Sequence, residues 1–294
     1  MPTERRRSRP DDRFLRNRGV SSTTPANGAL ETATTTEDPM PTRSLKARIR
    51  AGEPVYGAWL GLADANVAEL MAHAGYDFLV LDQEHGPGSI ETAMDVMRAA
   101  EAAGCPLVVR VPWNDAVYLK RILDAGATAV MVPMLEDADA ARAAVAACRY
   151  PPQGIRGYAA ASHRCTRWGK ETDYLARWND EVLIMGQLES ARAAANAEAI
   201  AAVDGIDVPF IGINDMAGSI GRLGQLDHPE VRTLVESCEA ALRKSGKPLG
   251  TVPSAMRRTP ELFAVGYMVV AGAVDSMLLR AAATADVKAN RPGS

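Results

Sequence analysis

"YDFLVLDQEHGPGSIETAMDVMRAAEAAGCPLVVRV", residues 76–111, decides the fold. It opens on an unbroken apolar run, Phe78 to Leu81, and closes on another, Leu107 to Val109. Between them lies a stretch of helical periodicity, with Ser89 placed as its N-cap and Gly104 as its stop. Strands that are apolar at every position, not at every second one, belong to parallel sheets buried on both faces. The stretch therefore predicts one strand–helix–strand unit.

Working outward, the unit recurs. Strands are predicted at 55–61, 76–82, 105–111, 127–133, 181–189, 208–215, 247–252 and 267–274, each followed by a helical stretch. One long irregular segment, 150–180, interrupts the rhythm. Eight such units in about 245 residues predict a (β/α)8 TIM barrel. An open doubly wound sheet would carry a Gly-rich fingerprint after its first strand, and "WLGLADANV" (59–67) is not GxGxxG.

Residues 1–43 differ from the rest. They are rich in Arg, Ser, Thr and Pro without apolar periodicity, so they read as a disordered extension, and 44–294 as the barrel domain. No apolar segment follows "RRR" to make a secretory signal. "MPT" recurs at Met40, which makes a translation start there a second reading of the extension.

Composition narrows the function. The 294 residues are 47% hydrophobic with a net charge of -3, which argues against a nucleic-acid binder. No apolar run approaches the roughly 18 residues of a membrane span. Four scattered cysteines without a CxxC pair suggest reduced thiols and a cytoplasmic protein, with Cys105 and Cys148 as small core residues.

In a TIM barrel, chemistry sits at the C-terminal ends of the strands. Those ends read Trp59; Asp82, Glu84 and His85; Arg110; Gln187 and Glu189; and Asp215. Glu189 and Asp215 end consecutive strands, which lie about 4.8 Å apart in a sheet. Two carboxylates without Cys or His suit a hard divalent cation, Mg²⁺ or Mn²⁺, completed by water and substrate oxygens. Each acid also precedes a helix and fits an N-cap. His85 fits a general base whose ring Asp82 orients, or a turn histidine. Glu84 fits a support behind the catalytic residues or a salt bridge. Arg110 interrupts an apolar strand and needs either a carboxylate partner or an anionic oxygen. Arg156 in "PPQGIRG" suggests an anion contact, and His163, Arg164 and Arg167 a lid or a solvated loop. No lysine stands at a strand end to form a Schiff base.

"GAWLGL", "DFLVLDQEHGP", "VVRVPWND", "VPMLEDADAARAAVAACRYPPQGIRG", "QLES" and "FIGINDMAGSIG" together resemble the HpcH/HpaI aldolase family, over about residues 44–287. The resemblance implies a metal-dependent class II aldolase acting on pyruvate or a related 2-keto acid and an aldehyde. It implies a TIM barrel assembled as a homohexamer from dimers that exchange their last helix. It implies Mg²⁺ or Mn²⁺, with Co²⁺ as an alternative, on Glu189 and Asp215. It assigns His85 as base held by Asp82, Arg110 to the enolate, and Trp59 and Gln187 to the pocket. Gly212, Ile213 and Asn214 would face the substrate, with Ile213 where the family usually has Pro. An oxaloacetate-decarboxylating enzyme of the macrophomate synthase kind, using the same enolate, is the alternative reaction. A non-catalytic barrel is the remaining one.

Overall fold

Alternation within each strand sorts its side chains into two layers. The computed structural model describes residues 44–291; the predicted extension, 1–43, lies outside the described residues. After α1 (Leu45–Arg50) come β1 (Val55–Leu60), α2 (Ala65–His73), β2 (Phe78–Asp82), α3 (Ile90–Ala102), β3 (Leu107–Arg110), α4 (Ala116–Asp124), β4 (Ala129–Val132) and α5 (Ala138–Cys148). The second half holds α6 (Tyr174–Glu181), β5 (Leu183–Leu188), α7 (Ala191–Ala195), α8 (Ala197–Ala201), β6 (Val208–Ile211) and α9 (Ile213–Ser219). It continues through α10 (Pro229–Arg243), β7 (Gly250–Thr251), α11 (Thr259–Ala264), β8 (Val269–Val274) and α12 (Asp275–Asn290). All neighbouring strands are parallel, and β8 pairs with β1 to close the barrel.

The barrel interior is a packed core of Val55, Trp59, Phe78, Val80, Val108, Met131, Met185, Phe210 and their neighbours. The intervening residues, such as Leu79, Leu81, Val109, Val130 and Ile184, face the helices in a separate outer core. The rings of the interior need room: a Cβ on Gly57 would lie 2.5 Å from Phe78. Among the described residues no helix is long and apolar enough to cross a membrane. All four cysteines are free thiols; Cys105, Cys148 and Cys238 are buried.

Several element boundaries differ from the sequence reading. The helix expected over 190–203 is two, α7 and α8, meeting at Asn196, whose side-chain amide donates to Glu136 O (2.9 Å). The segment read as irregular contains α6, which buries Tyr174 and Trp178 one turn apart. The sixth strand ends at Ile211, and α9 begins at Ile213, so Asp215 sits in the first turn of a helix and not on a strand end.

Candidate active site

The same alternation aims polar side chains at the mouth. On β2 the inward residues are Phe78, Val80 and then Asp82; on β3, Val108 and then Arg110; on β5, Leu183, Met185 and then Gln187. Two residues further, Glu189 keeps that parity. A cavity of about 540 Å³ opens there. All ten residues singled out as catalytic, metal-binding or substrate-binding line it: Trp59, Asp82, His85, Arg110, Gln187, Glu189, Gly212, Ile213, Asn214 and Asp215.

Arg110 is the hub of one wall. Its Nε and Nη2 donate to Asp82 Oδ1 (3.0 Å) and Oδ2 (2.7 Å) in a bidentate pair. Nη1 lies 2.8 Å from Glu84 Oε2, an oxygen that accepts no aligned hydrogen bond. The guanidinium covers the Trp59 ring at 4.6 Å, and Trp59 Nε1 is fixed by Ala271 O (3.0 Å). Burial opposes the charge on Asp82, but Arg110 and the backbone N–H groups of His85 and Glu84 outweigh it and hold its carboxyl below the usual value. Burial pushes Glu84 the other way, above its usual value.

This arrangement corrects one expectation. Asp82 does not orient the His85 imidazole. Its Oδ1 accepts the backbone N–H of Glu84 (3.0 Å) and of His85 (3.2 Å), and Arg110 takes the rest. Asp82 therefore shapes the turn, while the carboxylate beside the ring is Glu84, 3.8 Å from His85 Nε2. Gln83 secures the turn from behind, accepting from Tyr118 Oη (2.6 Å) and donating to Ser89 O (2.7 Å). The imidazole is left 64% exposed at the rim.

Glu189 is the most buried acid of the site, 2% exposed. Its Oε2 accepts from Met134 N (3.0 Å) and its Oε1 from Gln187 Nε2 (2.7 Å). Met134 adopts a left-handed φ of 53° to present that N–H. Gly212 permits the fit, since a Cβ there would stand 2.5 Å from Glu189 Oε1. Burial raises the Glu189 carboxyl to about 7, and the negative Glu84 and Asp215 add to the rise. Asp215 is exposed to the cavity three residues beyond Gly212.

The donor set fits a divalent cation. A buried carboxylate disfavoured by desolvation and by a second carboxylate is relieved by a cation between them. Gln187 Oε1 is a buried oxygen without a partner, a further candidate ligand. Among the described residues no three His, Cys, Asp or Glu side chains gather as a closed metal cage. Two carboxylates with open positions match how Mg²⁺ is commonly held.

The anion-contact and lid readings are not met at the mouth, while the solvated-loop reading holds for the exposed His163 and Arg167. Arg156 lies away from the mouth, its side chain fully buried and paired with Asp124 (2.6 Å). His163, Arg164 and Arg167 do not line the mouth cavity. Conversely, Val252, Pro253, Gly272, Val274 and Met277 do line it, and the sequence offered no chemical signal for them.

Comparison with known proteins places these observations. The profile of the HpcH/HpaI aldolase/citrate lyase family matches residues 55–282. The chain is 40% identical over 242 residues to the 4-hydroxy-2-oxo-heptane-1,7-dioate aldolase of Escherichia coli, covering 82% of this chain and 92% of that one. Its fold matches the crystal structure of an HpcH/HpaI aldolase/citrate lyase family protein from Burkholderia cenocepacia, with TM-score 0.79, 38% identity, and 83% and 98% of the two chains covered. It also matches macrophomate synthase, with TM-score 0.72, 26% identity, and 83% and 90% covered.

Proposed function

This chain belongs to the HpcH/HpaI aldolase/citrate lyase family and is a carbon–carbon lyase; from that premise we propose that it is a divalent-cation-dependent aldolase joining the enolate of pyruvate, or of a related 2-keto acid, to an aldehyde, and cleaving the product in reverse. The observation that carries this reading is the setting of Glu189: a buried acid raised to about 7, with Asp215 adding to the rise and the orphan Oε1 of Gln187 on the same wall.

Glu189 and Asp215 would hold Mg²⁺, Mn²⁺ or Co²⁺. That ion supplies Lewis-acid polarisation of the keto group, which lowers the cost of forming an enolate. Arg110 is placed to stabilise the developing oxyanion. Asp82 fixes its plane, and the unaligned contact with Glu84 leaves Nη1 hydrogens free for a substrate oxygen. Trp59, covered by Arg110, walls the pocket and excludes water. His85 is the proton carrier: it removes the hydroxyl proton of the aldol in cleavage and returns it in condensation. Glu84, not Asp82, is the acid that stabilises the imidazolium formed in that step.

The decarboxylating alternative uses the same residues, and the likeness to macrophomate synthase favours keeping it. We also place the protein in a homo-oligomer, hexameric as the family resemblance implies, because every residue of α12 after Asp275 is exposed in the single chain. The test incubates purified protein with pyruvate and a panel of aldehydes, with each cation and with chelator, and in parallel with oxaloacetate. Aldehyde-dependent consumption of pyruvate, abolished by chelator, is expected. Cation-dependent CO₂ release from oxaloacetate without any aldol product would move the assignment to the decarboxylase. Full activity in chelator would refute the cation's role.

A further inference from the structure

A second large cavity, about 670 Å³, lies at the opposite end of the barrel, where β5 to β8 begin and α1 packs. That face of a TIM barrel ordinarily serves stability. Here five cationic side chains, Lys46, Arg50, Arg149, Arg243 and Lys247, line it against two carboxylates, Asp204 and Asp207.

The carboxylates do not balance the cations. Asp207 is shared by Lys46 (2.9 Å) and Arg50 (3.3 Å). Asp204 forms a salt bridge with Arg149 (2.7 Å) and lies within electrostatic reach of Lys247, but it is 93% exposed, so both interactions are weak. Arg243 and Lys247 donate to backbone carbonyls, Val265 O (2.7 Å) and Val203 O (2.7 Å), which orient them without neutralising them. Arg243 also lies 5.8 Å from the centre of the Tyr267 ring. Arg149 Nε is a buried donor without an acceptor. Burial holds the Lys46 and Lys247 ammonium groups below their usual pKa; Asp207 opposes this at both and Asp204 at Lys247, while the charge of Arg149 adds to the lowering. Among the residues lining the cavity, five cations thus face two carboxylates, which offset their mutual repulsion only in part.

We propose that this basal cavity is a binding site for a small multiply charged oxyanion of the phosphate class, gripped by Arg149, Arg243 and Lys247. The planar fork of an arginine with an unsatisfied N–H suits a phosphoryl group, and the lysine adds a point charge. The site lies at the end of the barrel away from the mouth, so its occupancy is separable from the proposed catalysis.

The experiment is calorimetric titration of the full chain, in chelator and at low ionic strength, with two probes, inorganic pyrophosphate and ADP. Both are expected to bind, with affinity falling as salt rises. Tighter binding of ADP assigns the site to organic phosphates; equal binding assigns it to the inorganic ion, and either supports the proposal. The double substitution Arg243→Gln and Lys247→Gln is expected to weaken binding about tenfold or more, while Glu189→Gln at the mouth leaves it unchanged. Thermal melting of the double variant confirms that it is folded, and Lys247→Gln alone provides a milder second variant. Absence of binding at millimolar probe, or binding lost with Glu189→Gln and kept in the double variant, would overturn the assignment.

Discussion

At the scale of single residues, Glu189 and His85 are opposites, one sealed and one at the rim. In the cation-free protein, the folded-state pKa of Glu189, about 7, lies above its ordinary 4.5. The folded chain therefore keeps a proton that the unfolded chain releases across that window. The stabilising contribution is complete below pH 4.5 and disappears as pH rises through 7. Glu189→Gln removes the dependence. The new amide can accept from Met134 N and donate to Gln187 Oε1 if the Gln187 amide turns over. In chelator at pH 8 the variant should be more stable than the parent, by roughly 3 kcal/mol at most, and no more stable at pH 4.5. Urea melts at the two pH values measure this; a variant less stable at pH 8 refutes the reading. With cation added, the parent should gain stability and the variant should not. His85→Ala predicts the converse. The side chain is exposed, so the melting temperature should not move, whereas kcat for aldol cleavage should fall by about 10²-fold or more. Unchanged turnover would remove the proposed base, and a loss reproduced by Glu84→Gln would place that carboxylate behind it.

At the scale of elements, the loop that carries "GIRG" is held by its arginine. Arg156 is sandwiched between the rings of Tyr150 (4.5 Å) and Trp178 (4.6 Å), bonds Tyr174 Oη (3.1 Å) and pairs with Asp124. It thus ties the segment after α5 to α4 and α6. Arg156→Leu leaves Asp124 without its cation and should cost about 3 kcal/mol or more. Adding Asp124→Leu should recover part of that loss, and kcat of the folded fraction should hold because neither residue lines the mouth. A loss of substrate affinity at full stability would instead restore the anion-contact reading. The strands were legible because their order and parity are local properties: apolar runs set the barrel, and period two sets which side chains reach the mouth. What failed depended on long-range competition. Asp82 lies three residues from His85, but a neighbouring strand brings Arg110 to it, and a bidentate ion pair outcompetes an imidazole. Likewise α6 looked irregular because only Tyr174 and Trp178 face inward, and Met134 gave no warning that its backbone, not its side chain, would bond Glu189.

At the scale of the whole molecule, the proposed homo-oligomer would give α12 the covering surface that a single chain does not. Asp275 is buried and accepts from Gly61 N and Leu62 N (3.0 Å each), which anchors the helix start to the end of β1. Among the described elements the helix packs chiefly on β1 and β8, and Ser276 to Asn290 are all exposed. An isolated helix of 16 residues is marginal in water. Leu279, Ala283 and Val287 recur at four-residue spacing, and Leu279 is 62% exposed. Such a stripe expects a covering surface, and burying each of its large side chains is worth about 1.5–3 kcal/mol. Because Met277, on the first turn of α12, lines the mouth cavity, the proposed assembly would couple to activity through this helix. Leu279→Glu, which places a charge in that stripe, should shift sedimentation from oligomer to monomer while Asp275 keeps the barrel folded. The monomer should show a raised KM, since an uncovered α12 no longer holds Met277 against the pocket. A monomer with unaltered KM would confine the helix to assembly, and an unaltered oligomer would show that another face of the barrel makes the interface.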